Sequence, residues 1–411
     1  MARNFANVAV VGLGYIGLPT AAILADHGVK TVGVDIAPST VEQVNAGVLP
    51  FVEPGLLEVL ERAVAKGQLK AQTDMPVADA YIVAVPTPFT DALSADLTYI
   101  ETAARSIATT LTGGELVILE STSPPGATEH MRDVILEARM DLNAEDLLVA
   151  HCPERVLPGK IMQEMITNDR IIGGIGTEAA EAARDLYAAF CQGELLLTDA
   201  RTAEMAKLTE NSFRDVNIAF ANELSVISHK LGIDVWELIA LANHHPRVNI
   251  LQPGPGVGGH CIAVDPWFIV DAAPEEANLI RTARQTNDAK PDWVLGRIEQ
   301  ALDIGAAGSK VALFGLAFKA NIDDLRESPS LAIVERLSSL AVGAELLVVE
   351  PHIHELPPKL ATREKVSLIS TERAIQEADI IVLLVDHDAF KNVDPVQLEG
   401  KTVIDTRGIW R

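Results

Sequence analysis

Within its first 35 residues the chain carries a pattern that few folds can accommodate. Val8-Ala-Val-Val11 is a short apolar run of buried-strand type, and it meets Gly12-Leu-Gly14-Tyr-Ile-Gly17 with no spacer. A helical pattern follows to Ala25, then a second strand, Lys30-Thr-Val-Gly-Val34, which ends in Asp35. Strand, GxGxxG, helix, strand and acid at this spacing form a dinucleotide fingerprint. Gly12 permits the tight turn, Gly14 admits a pyrophosphate to the backbone, and Gly17 lets the helix pack on the strand. Tyr15 and Ile16 complete that cofactor-binding turn, and the helix N-terminus offers N–H groups to phosphate. Asp35 is expected to hold the ribose hydroxyls, which favours NAD over NADP because a 2′-phosphate would meet a carboxylate.

The stretch 8–25 is uncharged, but three glycines, Pro19 and a single preceding basic residue, Arg3, argue against a signal or membrane segment. More strands follow at Ala80–Val85, Leu116–Leu119 and Leu147–Ala150, each ending in a polar or Pro-rich loop. In an open parallel sheet, ligands bind beyond the carboxyl ends of the strands. The loops holding Pro86 and Thr87, Thr122, and the cluster His151, Cys152, Glu154 and Arg155 are therefore expected to line the site. From Asp199 the pattern turns to long helices, on which Lys207, Asn211 and Arg214 fall at i, i+4 and i+7 and share a face. Asn211, Asn217 and Asn222 are unusual inside a helix, since amides compete with the backbone, and suggest a ligand-facing stripe.

The last third returns to strands at Lys310–Gly315, Glu345–Glu350, Asp379–Val385 and Thr402–Asp405. Its first turn, Gly315-Leu-Ala-Phe-Lys-Ala320, lacks the triple glycine, so Lys319 and Arg326 are candidates for a ligand's phosphate or hydroxyls. At 411 residues, two or three domains are expected. The reading is α/β: two Rossmann-like doubly wound parallel-sheet domains, 1–198 and 306–411, joined by a helical central domain, 199–305. A net charge of −24 excludes nucleic acid and anionic membrane as partners. Three scattered cysteines, Cys152, Cys191 and Cys261, give no disulfide framework, and no Cys/His spacing suggests a metal, so the chain reads as cytoplasmic. Cys261 stands apart, because Gly256, Gly258 and Gly259 strip side chains from the loop just before it and Asp265 follows. That arrangement suits a thiol presented to a ligand.

These landmarks resemble the UDP-glucose/GDP-mannose 6-dehydrogenase family along essentially the whole chain. They are GLGYIGLP at 12–19, PTP at 86–88, STSPPGAT at 121–128, PER at 153–155, KLTENSFRDVNIAFANE at 207–223, GPGVGGHCIAVDPW at 254–267 and the Lys319 to RESPS region. RDVNIAFANE and GGHCIAVDPWF look most like the UDP-N-acetyl-D-mannosamine 6-dehydrogenases. The resemblance implies oxidation of a UDP-sugar C6 alcohol to a carboxylate with two successive NAD⁺. It assigns Cys261 as nucleophile through a thiohemiacetal and a thioester, Lys207 and Asn211 as oxyanion support, and Asp265 as proton-transfer partner. It gives Glu154 the activation of water, with Thr122 positioning that water and touching the cofactor. Substrate contacts would come from Arg155, Val156, Lys207, Asn211, Arg214, His244, Arg247, Gly258, Lys319 and Arg326.

The rivals are UDP-N-acetylglucosamine or UDP-glucose as substrate, a one-step β-hydroxyacid dehydrogenase that needs no thiol, and a non-catalytic NAD-dependent sensor. A homodimer or larger homo-oligomer is expected, because a long apolar-faced helix needs cover.

Overall fold

The computed structural model describes residues 3, 5–90, 93–157, 159–259, 262–304, 308–340 and 343–411. The chain divides into two compact units, Met1–Glu210 and Asn211–Arg411. In the first, strands β1 (Asn7–Val11), β2 (Lys30–Val34), β3 (Leu69–Gln72), β4 (Ala80–Val83), β5 (Leu116–Leu119), β6 (Leu148–His151), β7 (Arg170–Gly174) and β8 (Leu195–Asp199) form one sheet. Its order is β3-β2-β1-β4-β5-β6-β7-β8, so the winding reverses between β1 and β4. Period-two alternation gives the sheet two buried faces. Val8 and Val10 join one core with Leu18 and Ile82, while Ala9 and Val11 join another with Tyr81 and Val83. The sheet is not parallel throughout: β6 meets β7 antiparallel through Ala150 and His151, and β8 then runs parallel to β7.

The second unit begins with helices and ends in a sheet. The helix Ala200–Leu231 runs through the boundary, and Val235–Ala242, Asp265–Ala272 and Asn278–Ile304 follow. Asp234 caps Val235–Ala242 by accepting from Trp236 N and Glu237 N at 2.8 and 3.1 Å. Strands β9 (Lys310–Phe314), β10 (Glu345–Val349), β11 (Val366–Leu368), β12 (Ile380–Leu383) and β13 (Thr402–Asp405) pair in the order β11-β10-β9-β12-β13, all parallel. The same alternation puts Val311 and Leu313 in one core and Ala312 and Phe314 in the other. Here the reversal lies between β9 and β12. In both sheets the reversal leaves a crevice at the carboxyl ends of the strands, where an α/β fold receives ligands.

Candidate active site

The turn after β1 is shaped by steric exclusion. Gly12 takes φ +92°, and a Cβ there would press on Ala84 O at 2.5 Å. A Cβ on Gly17 would lie 1.9 Å from Gly12 O, so the helix Gly17–Asp26 approaches the turn only because that position is bare. At Gly14 a Cβ would meet nothing within 4 Å: this glycine faces open space. No side chain caps the helix at Ile16; Leu18 N donates to Gly14 O at 3.1 Å and Pro19 has no N–H, which leaves Gly17 N as the first-turn donor for an anion. Asp35 accepts from Leu13 N and Ala37 N, both at 2.9 Å, and each carboxylate oxygen keeps a lone pair for a hydroxyl. Tyr15 is exposed and stacks on Phe51 with ring centroids 4.3 Å apart. Pro86 is exposed, whereas Thr87 Oγ1 is buried with no partner. Open space at Gly14, an uncapped helix start and an orphaned hydroxyl together fit a dinucleotide.

Beyond β5 and β6, the expected polar cluster splits. His151 and Cys152 turn inward and are fully buried, so they do not line the crevice; burial pushes the imidazole down to about 3 and the thiol up to about 12. Glu154 keeps a polar setting. Its Oε1 accepts from Arg155 N at 2.7 Å and its Oε2 from Arg170 at 3.0 Å. The Arg170 guanidinium is itself 4% exposed and reaches Glu120 at 3.7 Å, while Thr20 and Tyr187 donate to Glu120 at 3.0 and 3.1 Å. One guanidinium thus serves two carboxylates. Burial, reinforced by the neighbouring Glu154 charge, pushes Glu120 up to about 7 against the pull of Arg170. Arg155 pairs with Glu210 at 2.6 Å and with Asp169 O at 3.2 Å, Val156 packs on the first core, and Thr122 is half-buried. The knot assembles residues from five separate segments: Glu120 opens a loop that the sequence places at the crevice but is 1% exposed, and nothing local in the sequence marks Arg170 or Tyr187.

In the second unit, Asn211 Nδ2 donates to Asp265 Oδ2 at 2.5 Å. Asp265 is 3% exposed and opens the helix Asp265–Ala272. Lys207 lies one turn before Asn211 on the helix Ala200–Leu231, and both are half-buried. The glycine loop is closely packed: a Cβ on Gly258 would strike Glu327 O at 2.4 Å, and Gly259, at φ +89°, lies under Phe318. Cys261 and His260 lie outside the described residues. Arg214, His244, Arg247, Lys319 and Arg326 are exposed, and Arg326 forms a two-pronged pair with Asp324 at 2.9 and 2.7 Å. Arg407, unmarked in the sequence, sets its guanidinium 2.8 Å from where a Gly254 Cβ would stand.

The turn after β9 repeats the geometry of the first. Gly315 takes φ +95° and Glu350 stands where Asp35 does, accepting from Leu316 N at 2.7 Å. Glu350 Oε2 also accepts from Ala317 N and His387 Nε2, and Oε1 from His352 N, each at 3.2 Å, so Oε2 is crowded while Oε1 keeps a lone pair. Glu350, His352 and His387 bring three metal-capable atoms within 4.8 Å of one another. The hydrogen bonds assign a different role. Asn321 N donates to His387 Nδ1 at 2.9 Å, so the proton sits on Nε2 and points at Glu350. An Nε2 that carries a proton has no lone pair for a cation, and His387 serves instead to tie Asn321 to the sheet.

Known proteins give this geometry a context. The chain matches the NAD binding domain of the UDP-glucose/GDP-mannose dehydrogenase family over residues 6–191, the central domain over 201–289 and the UDP binding domain over 312–411. It is 56% identical to an NDP-N-acetyl-D-galactosaminuronic acid dehydrogenase of Ralstonia nicotianae, covering 99% of this chain and 97% of that one. It is 53% identical to a UDP-N-acetyl-D-mannosamine dehydrogenase of Yersinia pestis, over 99% and 100%. Among solved structures, a UDP-D-ManNAc dehydrogenase of Pyrococcus horikoshii superposes with TM-score 0.86 at 38% identity, covering 98% of this chain and 96% of that one. The chain therefore belongs to the UDP-glucose/GDP-mannose dehydrogenase family and is an NAD-dependent UDP-sugar dehydrogenase.

Proposed function

We propose that the chain oxidises the C6 alcohol of UDP-N-acetyl-D-mannosamine to the uronate in two steps, holding the aldehyde on Cys261 between them. The observation that carries this reading is the hydrogen bond from Asn211 to the buried Asp265 carboxylate, four residues beyond the thiol. Bound NAD⁺ supplies the hydride acceptor for both oxidations. The alcohol loses a hydride and a proton to become an aldehyde. The Cys261 S–H adds across its C=O to give a thiohemiacetal, and loss of a second hydride and proton leaves a thioester. Water then displaces the thiol and releases the acid. Covalent capture divides one hard step into easier ones and retains a reactive aldehyde.

Lys207 and Asn211 stabilise the developing oxyanion, and the positive charge of Lys207 favours attack by sulfur. Asp265 moves the proton through water, while Glu154 activates the hydrolytic water that Thr122 positions. Gly12, Gly14, Tyr15, Ile16, Gly17, Asp35, Pro86, Thr87 and Thr122 hold NAD. Arg155, Val156, Arg214, His244, Arg247, Gly258, Lys319 and Arg326 hold the sugar nucleotide.

The named relatives divide between two N-acetylhexosamines. These differ in configuration at C2 and C4 and share a primary alcohol at C6, so the same C6 chemistry serves both. The motifs RDVNIAFANE and GGHCIAVDPWF favour the mannosamine substrate. Initial rates of NADH formation with UDP-N-acetylmannosamine, UDP-N-acetylgalactosamine, UDP-N-acetylglucosamine and UDP-glucose test the choice. The mannosamine nucleotide should be fastest, and a faster rival replaces it.

The proposal keeps a division at 198/199 and 305/306 and places the protein in the cytoplasm; no helix among the described residues is long and apolar enough to cross a membrane. It also makes the protein a homodimer. Phe213, Phe220 and Ile227 recur every seventh residue on the helix Ala200–Leu231 and are 70%, 54% and 44% exposed, a stripe that a second copy would cover. Light scattering should give a mass of twice the chain or more.

A further inference from the structure

We propose that Asn222, Asn287, Asp215 and Arg284 form a buried clamp that fixes the loop carrying Cys261, and so act as positioning residues for aldehyde capture. The inference rests on Cys261 being the nucleophile. The loop is gripped on both sides of the thiol. Upstream, Gly254 N donates to Asn222 Oδ1 at 2.9 Å. Downstream, Ile262 O accepts from Arg284 NH1 at 3.4 Å. Between these anchors runs an unbroken chain of side chains: Asn222 Nδ2 donates to Asn287 Oδ1 at 2.8 Å, Asn287 Nδ2 to Asp215 Oδ1 at 2.8 Å, and Arg284 NH1 to that same oxygen. The four residues are 0–1% exposed. They join the helix Ala200–Leu231 to the helix Asn278–Ile304, so both ends of the loop refer to one rigid helix pair. Pro291 and Pro329 complete the seat, lying 3.1 and 2.8 Å from where a Gly256 Cβ would stand.

Stability alone is a poor account of this network. Desolvating a guanidinium, a carboxylate and two amides is costly, and apolar residues of the same volume commonly serve a core as well or better. What apolar residues cannot do is hold a backbone N–H at one end of a loop and a carbonyl at the other. The chain also has a fixed polarity. Flipping the Asn287 amide would turn its oxygen toward the Asp215 carboxylate and its N–H₂ toward the N–H₂ of Asn222, so the flipped arrangement loses both hydrogen bonds. The anchors at Gly254 and Ile262 therefore have one arrangement. A thiol that must meet an aldehyde within bonding reach needs such anchors, because a 1 Å misplacement can cost on the order of a hundredfold in rate.

The test is the fate of the aldehyde in Asn222→Ala, which frees Gly254, and in Asn287→Leu, which cuts the chain at nearly constant volume. Each purified variant is given UDP-N-acetylmannosamine and NAD⁺ with semicarbazide as a trap. The clamp predicts that kcat for uronate formation falls on the order of a hundredfold while the KM for NAD⁺ stays within about twofold. It also predicts that NADH per sugar consumed drops from two toward one, with the missing aldehyde recovered as semicarbazone. General loosening of the fold would lower both oxidations together and leave that ratio at two. A folded variant with a ratio of two, no semicarbazone and kcat near wild type overturns the clamp. If Asn222→Ala fails to fold, Asn287→Leu carries the same readouts. Cys261→Ser separates the two readings: full turnover there overturns the nucleophile, whereas an inactive Cys261→Ser beside unaffected clamp variants overturns the clamp alone.

Discussion

Arg170 donates to Glu154 Oε2 at 3.0 Å from a guanidinium that is 4% exposed and also answers to Glu120 at 3.7 Å. The residue proposed to activate water is thus held by a cation it shares with a second, wholly buried carboxylate. Such a triad resists single changes, because removing the cation strands two acids.

Arg170→Met should therefore destabilise the first unit by about 3–5 kcal/mol, the cost of an uncompensated buried charge. Glu120→Gln should be mild near neutrality and show itself in the pH dependence of stability. The folded Glu120 holds its proton up to about 7, against a usual value of 4.5. Between those values the folded state binds more protons than the unfolded state, so this group makes stability fall as pH rises through the window. Urea midpoints from pH 4.5 to 7.5 should fall less steeply in the glutamine variant. Parallel curves for the two proteins would refute the assignment.

Lys290 supplies the opposite sign. It is 4% exposed, lies 4.3 Å from the Trp293 ring centroid and donates to Ser225 Oγ, and burial, with Arg297 nearby, lowers its amine to about 7 from 10.5. The unfolded chain then binds the extra proton between pH 7 and 10.5. Stability from this group rises with pH across that range, by at most about 1.4 kcal/mol per pH unit. Lys290→Met should remove the rise and be more stable than wild type at pH 7. Calorimetric melting at pH 7, 8 and 9 reads both effects.

The two glycines of the first turn should separate folding from binding. Gly17→Ala puts a methyl 1.9 Å from Gly12 O and should lower the melting temperature as well as NAD affinity. Gly14→Ala meets no protein atom within 4 Å and should leave melting unchanged while weakening NAD binding about tenfold or more, because the methyl occupies the path of the pyrophosphate. Titration calorimetry beside thermal melting tells the two apart. Unchanged NAD affinity in Gly14→Ala would remove this turn from the cofactor site.

How much of this was legible in the sequence depended on range. The turn Gly12–Gly17, the strand before it and Asp35 are contiguous, and steric rules within a few residues suffice to read them. Strand β7 escapes a sequence reading because it begins with a charged Arg170 and ends in two glycines, which erases a strand's signature. Strand β8 was missed because Leu196 and Leu197 are about 40% exposed at the sheet edge and give no alternation. His151 and Cys152 read as crevice residues because they follow a strand, yet the chain bends into polar company only at Glu154. Asn222 was noticed as an odd amide in a helix, but its partners Asn287 and Gly254 lie far along the chain, and an amide buried against another amide looks in sequence like one facing a ligand. The parity of Glu350 with Asp35 required the backbone of both turns.

The central claim, that one chain carries an alcohol through a thiol-bound aldehyde to an acid, is tested most directly by counting. Limiting UDP-N-acetylmannosamine is incubated with excess NAD⁺ until exhausted, and NADH is measured against sugar consumed. Two NADH per sugar, with the uronate as sole product, is the predicted result. One NADH per sugar, with the aldehyde as product, would contradict the account.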